Sequence, residues 1–339
     1  MGDYVDRVLR EADEYPRGEV GVIDTLYFGG GTPSTLPSEL FSKLFRGIYE
    51  RFDFAPDAEI TVEVNPGTLT KEWVDNAKSL GVNRISIGLQ SIHKNELKWL
   101  GRIHSFEDFL SSYSLLRDAG FDNISVDLMY GIPEQTMESF EATLKKIIEL
   151  SPEHISAYGL IIEEGTPFFA TRDTLPLPDE DTECDMYYLA DDLLSQAGYG
   201  HYEISNYARK GRESRHNLKY WTDKEFIGLG AAAYSYYGGK RYGNVRSLEE
   251  YLASKLTRID VTPIDREDEM FEYAMMRLRL LEGICLSDYA LRFGSSFLDG
   301  REDRIEKYIA LGYMKNDGDR LSLTPKGFYI SNSILSDIL

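Results

Sequence analysis

Five short β-branched segments alternate with helical segments through the first 165 residues. The β-branched segments are Val22–Phe28, Glu59–Val64, Arg84–Leu89, Asn123–Met129 and His154–Ile161. Between them, apolar residues recur at the spacing of one helix face. Strands that start roughly 25–40 residues apart are typical of βα units, which pair in parallel. Five strands are too few for a closed eight-stranded barrel, so the sequence predicts an α/β fold with an open or partial barrel.

The pattern changes after this first region. Residues 168–215 hold a Pro-rich link and a predicted acidic helix from Asp179 to Gln196, and residues 216–262 are rich in Gly and Tyr. After Pro263, three helical segments and a strand–turn–strand pattern predict a small winged-helix-like module. We therefore expect three regions: a partial barrel at 1–167, an extension of the barrel at 168–262, and the winged-helix-like domain at 263–339.

Composition narrows the classes of partner. The 339 residues carry 37 Lys and Arg against 57 Asp and Glu, a formal net charge of -20. This acidic surplus disfavours nucleic acid and anionic lipid as partners, and it favours packing or protein contact for the winged-helix-like module. No apolar run reaches the length of a membrane span, and the first residues are too charged for a signal peptide. We expect a cytoplasmic protein without membrane insertion.

Polar groups follow successive predicted strands at the edge where a parallel barrel gathers ligand chemistry. In chain order they are Gly29-Gly30-Gly31-Thr32-Pro33, Glu63-Val64-Asn65-Pro66, Gln90-Ser91, Asp127 with Gly131-Ile132-Pro133, and Ile161-Ile162-Glu163-Glu164. Arg102 lies twelve residues past Gln90 and is close enough to join them. Taken singly, each is more often a turn, a helix cap or a surface residue. Together they predict one site, because an apolar core gains nothing from Glu63 and Asp127.

These polar groups form a predicted rim at one end of the barrel. The rim suits a small molecule that carries an ammonium, a carboxylate and a ribose. Three glycines let backbone groups approach an ammonium or a phosphate closely. Glu63 and Asp127 can accept hydrogen bonds from vicinal hydroxyls, and Arg102 offers a planar fork to a carboxylate. The G-x-x-x-x-G-K-[ST] and G-x-G-x-x-G patterns are absent, which disfavours a nucleoside triphosphatase and a dinucleotide-binding fold.

These motifs resemble those of the oxygen-independent coproporphyrinogen III oxidase family, which belongs to the radical S-adenosylmethionine (SAM) superfamily. The segments that carry the resemblance are Tyr27-Phe28-Gly29-Gly30-Gly31-Thr32-Pro33, Glu63-Val64-Asn65-Pro66, Ser86-Ile87-Gly88-Leu89-Gln90-Ser91 and Asp127-Leu128-Met129-Tyr130-Gly131-Ile132-Pro133. Within that family, His216-Asn217-Leu218-Lys219-Tyr220-Trp221 is similar to the HNxxYW motif of the HemW-type heme chaperone branch. The resemblance runs from about residue 4 to the C-terminus.

The resemblance implies a (β/α)6 barrel that binds SAM. The residues at matching positions are Gly30, Gly31 and Thr32 for the ammonium, Arg102 for the carboxylate, and Glu63, Gln90, Asp127 and Ile161, the last through its backbone. It also implies a first strand and a CxxxCxxC loop that holds a 4Fe–4S cluster. Both are missing from this sequence. Its two cysteines, Cys184 and Cys285, stand singly and far downstream, so they cannot form the loop.

Two explanations of the missing loop remain open: the chain is a shortened form of a longer protein, which we favour, or it is a relative that has lost the cluster. In either case we expect no metal ligands in this chain, no catalytic residue and no reductive cleavage of SAM.

The resemblance also implies heme as a ligand and heme-accepting apoproteins as partners. His216, with Tyr220 and Trp221, is the candidate heme site, because heme needs an axial donor in an apolar pocket. The alternative is a structural turn in which Trp221 packs. Tyr234 stands where relatives commonly place a His. A heme chaperone is the leading hypothesis. A coproporphyrinogen III oxidase and a non-catalytic SAM-binding or ligand-binding scaffold are the alternatives.

Overall fold

A computed structural model describes residues 1–253 and 258–339, and its main sheet is a curled half-barrel of seven strands. In chain order the strands are β1 (Val22–Phe28), β2 (Asp53–Val64), β3 (Arg84–Gln90), β4 (Ile124–Tyr130), β5 (His154–Gly159), β6 (Gly200–Glu203) and β7 (Asn206–Ala208). The spatial order is β1-β2-β3-β4-β5-β7-β6, and β1 to β5 are parallel. The predicted α/β partial barrel is therefore confirmed.

Helices cover the outer face of this sheet. The helices of the first two regions are α1 (Gly2–Ala12), α2 (Ser38–Arg51), α3 (Lys71–Ser79), α4 (Lys94–Trp99), α5 (Phe106–Asp118), α6 (Met137–Leu150), α7 (Pro167–Thr171), α8 (Glu180–Gln196), α9 (Arg215–Trp221) and α10 (Leu248–Ala253). Side-chain caps fix where several begin; Ser105 and Asp108, for example, form a capping box at α5. Outward-facing Ile85 and Ile87 of β3 are fully buried beneath the helical layer.

The structure adds an antiparallel hairpin that the sequence did not predict. β7 pairs with β5, and β6 pairs with β7, so the sheet has seven strands rather than the predicted five. Strands of four and three residues are too short to show alternation, and they follow directly on the acidic helix α8. The strand β5 is shorter than the predicted His154–Ile161. It ends at Gly159, so Ile161 lies in the following loop.

A second sheet, which is antiparallel, packs beside β1. It contains β8 (Tyr234–Tyr237), β9 (Lys240–Asn244) and β10 (Arg258–Pro263). The buried carboxylate of Glu11 in α1 ties this sheet to the first helix. It accepts hydrogen bonds from the Gly230 amide at 2.9 Å, the Asn244 amide at 2.7 Å and the Tyr251 hydroxyl at 2.5 Å. A buried acid with this many donors is fully compensated, so Glu11 serves as a structural clamp.

The C-terminal region has the predicted winged-helix-like form. It contains α11 (Arg266–Arg277), β11 (Ile284–Cys285), α12 (Leu286–Phe293), α13 (Glu302–Ala310), β12 (Met314–Asn316), β13 (Arg320–Leu323), α14 (Pro325–Tyr329) and α15 (Ser331–Ile338). It joins the barrel through one continuous apolar cluster and through polar contacts. Leu281 N donates to Tyr202 O at 3.1 Å, and Arg292 pairs with Asp223 at 2.9 Å. Among the described residues, no helix is long and apolar enough to cross a membrane.

Candidate functional site

Glu63 at the end of β2 is held against the triglycine turn. Its Oε1 accepts a hydrogen bond from the Tyr27 hydroxyl at 2.7 Å, and its Oε2 accepts from the Gly30 amide at 3.2 Å. A Cβ at Gly29 would lie 2.6 Å from Tyr27 Cε1 and 2.8 Å from Glu63 Cδ, so this close approach requires a glycine. Gly30 has a φ of +78°, which turns its amide toward the carboxylate.

Asn65 links the turn to Arg102. Its amide nitrogen donates to Thr32 Oγ1 at 2.8 Å, and its Oδ1 accepts from the Arg102 guanidinium at 3.2 Å. The predicted rim residues Thr32 and Arg102 are thus brought together through one side chain. The sequence pattern identifies Asn65 only as part of a motif and does not predict this bridging position. Its place two residues after Glu63 is a usable signal, because such residues point to the same side of a strand.

Gln90 is the last residue of β3, and Asp127 lies in the middle of the neighbouring strand β4, opposite Gly88. Gln90 is buried and has a φ of +67°, a left-handed conformation that is uncommon outside glycine and that coincides with a shift of the register between β3 and β4. Asp127 accepts a hydrogen bond from the Ser86 hydroxyl at 3.2 Å. Because strained backbone persists where the surroundings impose it, the Gln90 conformation marks this end of the sheet as specialised.

Asp127 and Tyr27, which lie on the same side of the sheet, both have pKa values above their usual range. Burial, and then the negative charge of Glu63, raise the pKa of Asp127, while hydrogen bonding from Ser156 and the charge of Arg84 partly offset this. Burial and the charges of both acids also raise the pKa of Tyr27, so its hydroxyl remains a donor at neutral pH. Two acids that repel each other are stabilised by a ligand that brings positive charge or hydroxyl donors.

The structure therefore gathers most of the predicted rim residues and leaves one apart. Gly30 and Glu63 form one hydrogen-bonded group with Tyr27, and Thr32 and Arg102 form a second group through Asn65. Gln90 ends β3, Asp127 lies in the middle of β4, and Gly31 lies in the same turn as Gly30. The Ile161 side chain is 79% exposed beyond β5. Its predicted contact through the backbone stays a prediction.

The start of α9 carries His216 into the barrel. Ser214 is fully buried, and its hydroxyl accepts from Asn217 N, which caps the helix. The next two amides, of Arg215 and His216, donate to the carboxylate of Glu59 in β2 at 3.1 and 3.0 Å. These contacts fix α9 against the inner side of the sheet. The sequence predicted α9 only as a short segment.

The His216 imidazole lies between three aromatic or hydroxyl partners. Its Nδ1 is 2.9 Å from Thr25 Oγ1, and its Nε2 is 3.0 Å from the Tyr220 hydroxyl. The ring stacks on Tyr27, with 4.9 Å between centroids. Burial, and then the positive charge of Arg84, lower the pKa of His216 to about 4, so the imidazole is neutral at physiological pH.

A cavity of about 590 Å³ connects the triglycine turn with His216. Tyr220 and Tyr234 line it beside His216, and its remaining wall is largely apolar, with Leu26, Phe28, Leu36, Ile227 and Leu229. This volume is within the range of small-molecule and cofactor pockets. Trp221, the third residue of the predicted heme site, does not line this cavity. Its ring lies under the Arg279 guanidinium at 6.0 Å, toward the C-terminal region.

The residues present do not fit a 4Fe–4S cluster. Within the described parts of the chain, no three His, Cys, Asp or Glu side chains are grouped to hold a metal ion. Cys184 in α8 and Cys285 at the start of α12 are both free, and burial raises the pKa of the Cys184 thiol. Such clusters are commonly held by three or four thiolates. The rim, in contrast, offers the carboxylates of Glu63 and Asp127, which suit the ammonium and hydroxyls of SAM, and the Arg102 guanidinium, which suits its carboxylate.

Comparison with known proteins agrees with this geometry. The radical SAM superfamily model matches residues 3–147, and the HemN C-terminal domain model matches residues 264–330. The structure of coproporphyrinogen III oxidase (HemN) from Escherichia coli aligns with a TM-score of 0.84 and 24% identity, over 99% of this chain and 82% of that one. The domain match and the fold place the chain in the radical SAM superfamily.

Curated relatives give the particular family. The heme chaperone HemW of Lactococcus lactis is 35% identical over 99% of this chain and 89% of its own length. HemW of Bacillus subtilis is 34% identical over 94% and 86%, and HemW of Escherichia coli is 34% identical over 98% and 89%. The chain belongs to the HemW family.

Proposed function

We propose that this protein is a cytoplasmic heme chaperone that binds heme in the cavity beside His216 and passes it to an acceptor apoprotein. The observation that carries the proposal is a neutral, buried imidazole in a largely apolar cavity of about 590 Å³. An imidazole ligates iron only when it is unprotonated, so a pKa near 4 suits ligation at neutral pH. The names of the HemW relatives support heme as the cargo.

Binding of iron to Nε2 requires the Tyr220 hydroxyl to move away. Tyr220 is 37% exposed, so its ring has solvent to move into. Thr25 keeps its hydrogen bond to Nδ1 and orients the imidazole, as outer partners do for metal-bound histidines. Release to an acceptor then needs only the reverse step, in which the Tyr220 hydroxyl returns to Nε2.

Heme titration followed by Soret absorbance tests this function. Wild-type protein should give a saturable shift, and His216→Ala should bind heme at least about tenfold more weakly. His93→Ala is the matched control, because His93 lies in the loop before α4, where its Nε2 is 3.1 Å from Ser139 O. Equal affinity in wild type and His216→Ala would refute the site, and no shift at micromolar heme would refute the function.

We also propose that the rim binds SAM without cleaving it. Glu63 and Asp127 would accept hydroxyl hydrogen bonds, Arg102 would pair with the carboxylate, and the Gly30–Thr32 backbone would meet the ammonium. SAM, when bound, supplies a sulfonium group, and reductive cleavage of that group would need cluster ligands that the described residues do not offer. The rim is built from hydrogen-bonded residues, so the geometry is preorganised.

Calorimetry with SAM tests the rim. Glu63→Ala and Asp127→Ala should each weaken binding by about tenfold, because each removes an acceptor in a partly buried site. Glu72→Ala, on the exposed face of α3, is the control. Unchanged affinity in both rim variants would contradict the placement. Decarboxylation of coproporphyrinogen III by anaerobically reconstituted protein would favour the oxidase alternative.

A further inference from the structure

The inner face of the half-barrel is polar at most positions. Side chains in paired strands alternate between the faces, and Gly88, Met129 and Tyr158 are among the inward positions of β2 to β5. The other inward positions include Glu59, Thr61, Glu63, Arg84, Ser86, Ser125, Asp127, His154 and Ser156. The outward positions between them, such as Ile85 and Val126, are fully buried in the apolar cluster. The inner side of this sheet is therefore lined mainly by polar groups rather than by an apolar core.

Most of these inward groups are paired. Ser86 binds Asp127, and the His154 ring bonds Ser125 through Nδ1 and Tyr202 through Nε2, each at 2.8 Å. The carboxylate of Glu59 is taken by two amides at the start of α9. Hydrogen bonding of this kind offsets the cost of burying polar groups.

Arg84 and Thr61 are the exception. They are direct neighbours across β2 and β3, and they are 2% and 0% exposed. Within residues 1–253 and 258–339, Arg84 Nε and Thr61 Oγ1 have no hydrogen-bond partner, and the guanidinium makes no ion pair. A buried charge without a partner is strongly destabilising, and two adjacent unpaired donors are uncommon in a native interior.

Acids lie on the same face as Arg84, but within the described residues none of them forms an ion pair with its guanidinium. Burial first, and then the Arg84 charge, hold the pKa of His154 well below its usual value, and the same two causes lower the pKa of His216. Both imidazoles are therefore neutral and do not add a second positive charge. Asp127 is within electrostatic reach of Arg84, but its carboxylate is bound by Ser86. Glu59 and Glu63 flank Thr61 on the same face, and their carboxylates are also bound by other donors. At the floor of the barrel, formed by Arg84 and Thr61, Arg84 Nε and Thr61 Oγ1 therefore remain without an acceptor among the described residues.

We propose that Arg84 and Thr61 form an enclosed anion site at the floor of the barrel, which takes one small carboxylate or oxyanion of the size of formate. The guanidinium provides a planar donor fork, and the Thr61 hydroxyl provides a third donor from the neighbouring strand. The anion comes either free from solution or as the carboxylate of a ligand bound at the rim. The proposal does not depend on heme binding.

Thermal unfolding in formate tests the site. Sodium formate replaces sodium gluconate at constant ionic strength, because gluconate is too bulky for an enclosed floor. The Tm of the wild type should rise and saturate with formate. Thr61→Val, which has nearly the same shape, should respond to formate with about tenfold weaker apparent affinity. Arg84→Gln should show no response, and the exposed Arg10→Gln should behave as wild type.

Thr61→Val keeps the test decisive even where Arg84→Gln fails to fold. In gluconate, this variant should be at least as stable as wild type, because it removes an unpaired buried hydroxyl. Its stability in gluconate together with a lost formate response supports the site. The same formate response in wild type and Thr61→Val, or no response in wild type, overturns it and leaves water as the partner of these donors.

A second arm separates the two sources of the anion. SAM at saturation should leave the formate response unchanged if the anion is free. If the carboxylate of SAM occupies the floor instead, SAM should abolish the formate response and Thr61→Val should weaken SAM binding. Either result supports an anion at Arg84, and each identifies its source.

Discussion

Tyr27 stacks on the imidazole of His216 at 4.9 Å between ring centroids. The same tyrosine donates its hydroxyl to Glu63 at 2.7 Å. One side chain therefore contacts both the residue proposed to hold heme iron and the acid proposed to bind SAM. The two sites share a wall, and neither can rearrange without affecting the Tyr27 ring.

This shared wall predicts that heme and SAM change each other's affinity. Iron bound at Nε2 withdraws electron density from the imidazole that stacks on Tyr27, and we expect a coupling of about fivefold, equal in both directions. Calorimetry of SAM with and without heme measures it. Tyr27→Phe keeps the ring but loses the hydroxyl, so the coupling should fall toward zero. The same coupling in this variant would show that Tyr27 does not transmit it.

Gly29→Ala should disrupt the rim. The added methyl would meet Tyr27 and Glu63 at less than 3 Å, so both must move, and we expect a loss of about 1–3 kcal/mol in unfolding free energy together with weaker SAM binding. Chemical denaturation and calorimetry measure the two effects. Gly200→Ala in β6 is the control, since its nearest neighbour would lie at 3.7 Å. If Gly29→Ala were as stable as this control and bound SAM normally, the close approach would be wrong.

Heme affinity should be nearly constant between pH 7.5 and 5.5. With a pKa of about 4, His216 stays neutral across this range, and protonation competes with iron only as the pH approaches 4. A histidine of ordinary pKa near 6.5 would lose affinity about tenfold over the same interval. Soret titrations at stepped pH distinguish the two cases, and a tenfold loss by pH 5.5 would contradict the buried setting.

Glu203→Gln should change how stability depends on pH. Burial raises the pKa of Glu203 to about 7 in the folded state, so the folded protein binds the proton more tightly than the unfolded chain. This group therefore contributes full stability below about pH 4.5, and its contribution falls as the pH rises toward 7, by about 3 kcal/mol in total. Glutamine has no such loss.

Urea denaturation at pH 5 and pH 8 measures this effect. The stability of Glu203→Gln relative to wild type should increase from the lower pH to the higher. Glu72→Gln, at an exposed position, should show the same difference from wild type at both. A constant difference for Glu203→Gln would mean that the carboxyl is not perturbed in the folded state.

The sequence predicts the parallel strands well and the hydrogen bonds of the site poorly. Apolar and polar residues alternate in short segments such as Arg84–Leu89, so their strand state is visible from the two-residue period. The placement of Glu63 and Asp127 on one face of the sheet follows from the pairing of parallel strands. The bridging role of Asn65 depends on side-chain torsions in a loop, which periodicity does not encode.

The inward position of Arg84 at the floor of the barrel is also not predictable from the sequence pattern. An arginine that begins a strand is typical of an exposed strand end, and only the register with Thr61 reveals that its side chain faces inward. Trp221 is the opposite case. Its motif suggested a heme contact, whereas it lies toward Arg279 and the C-terminal region, because one helix turn directs Tyr220 and Trp221 to different sides.

The polar contacts between the barrel and the C-terminal region bear on how the molecule unfolds. Leu281 bonds Tyr202, and the buried Asp223 pairs with Arg292, so detaching the last helices would strand a charge and open the shared apolar cluster to water. Calorimetry should therefore record a single cooperative melting transition. The winged-helix-like region would then unfold together with the barrel and not as an independent domain.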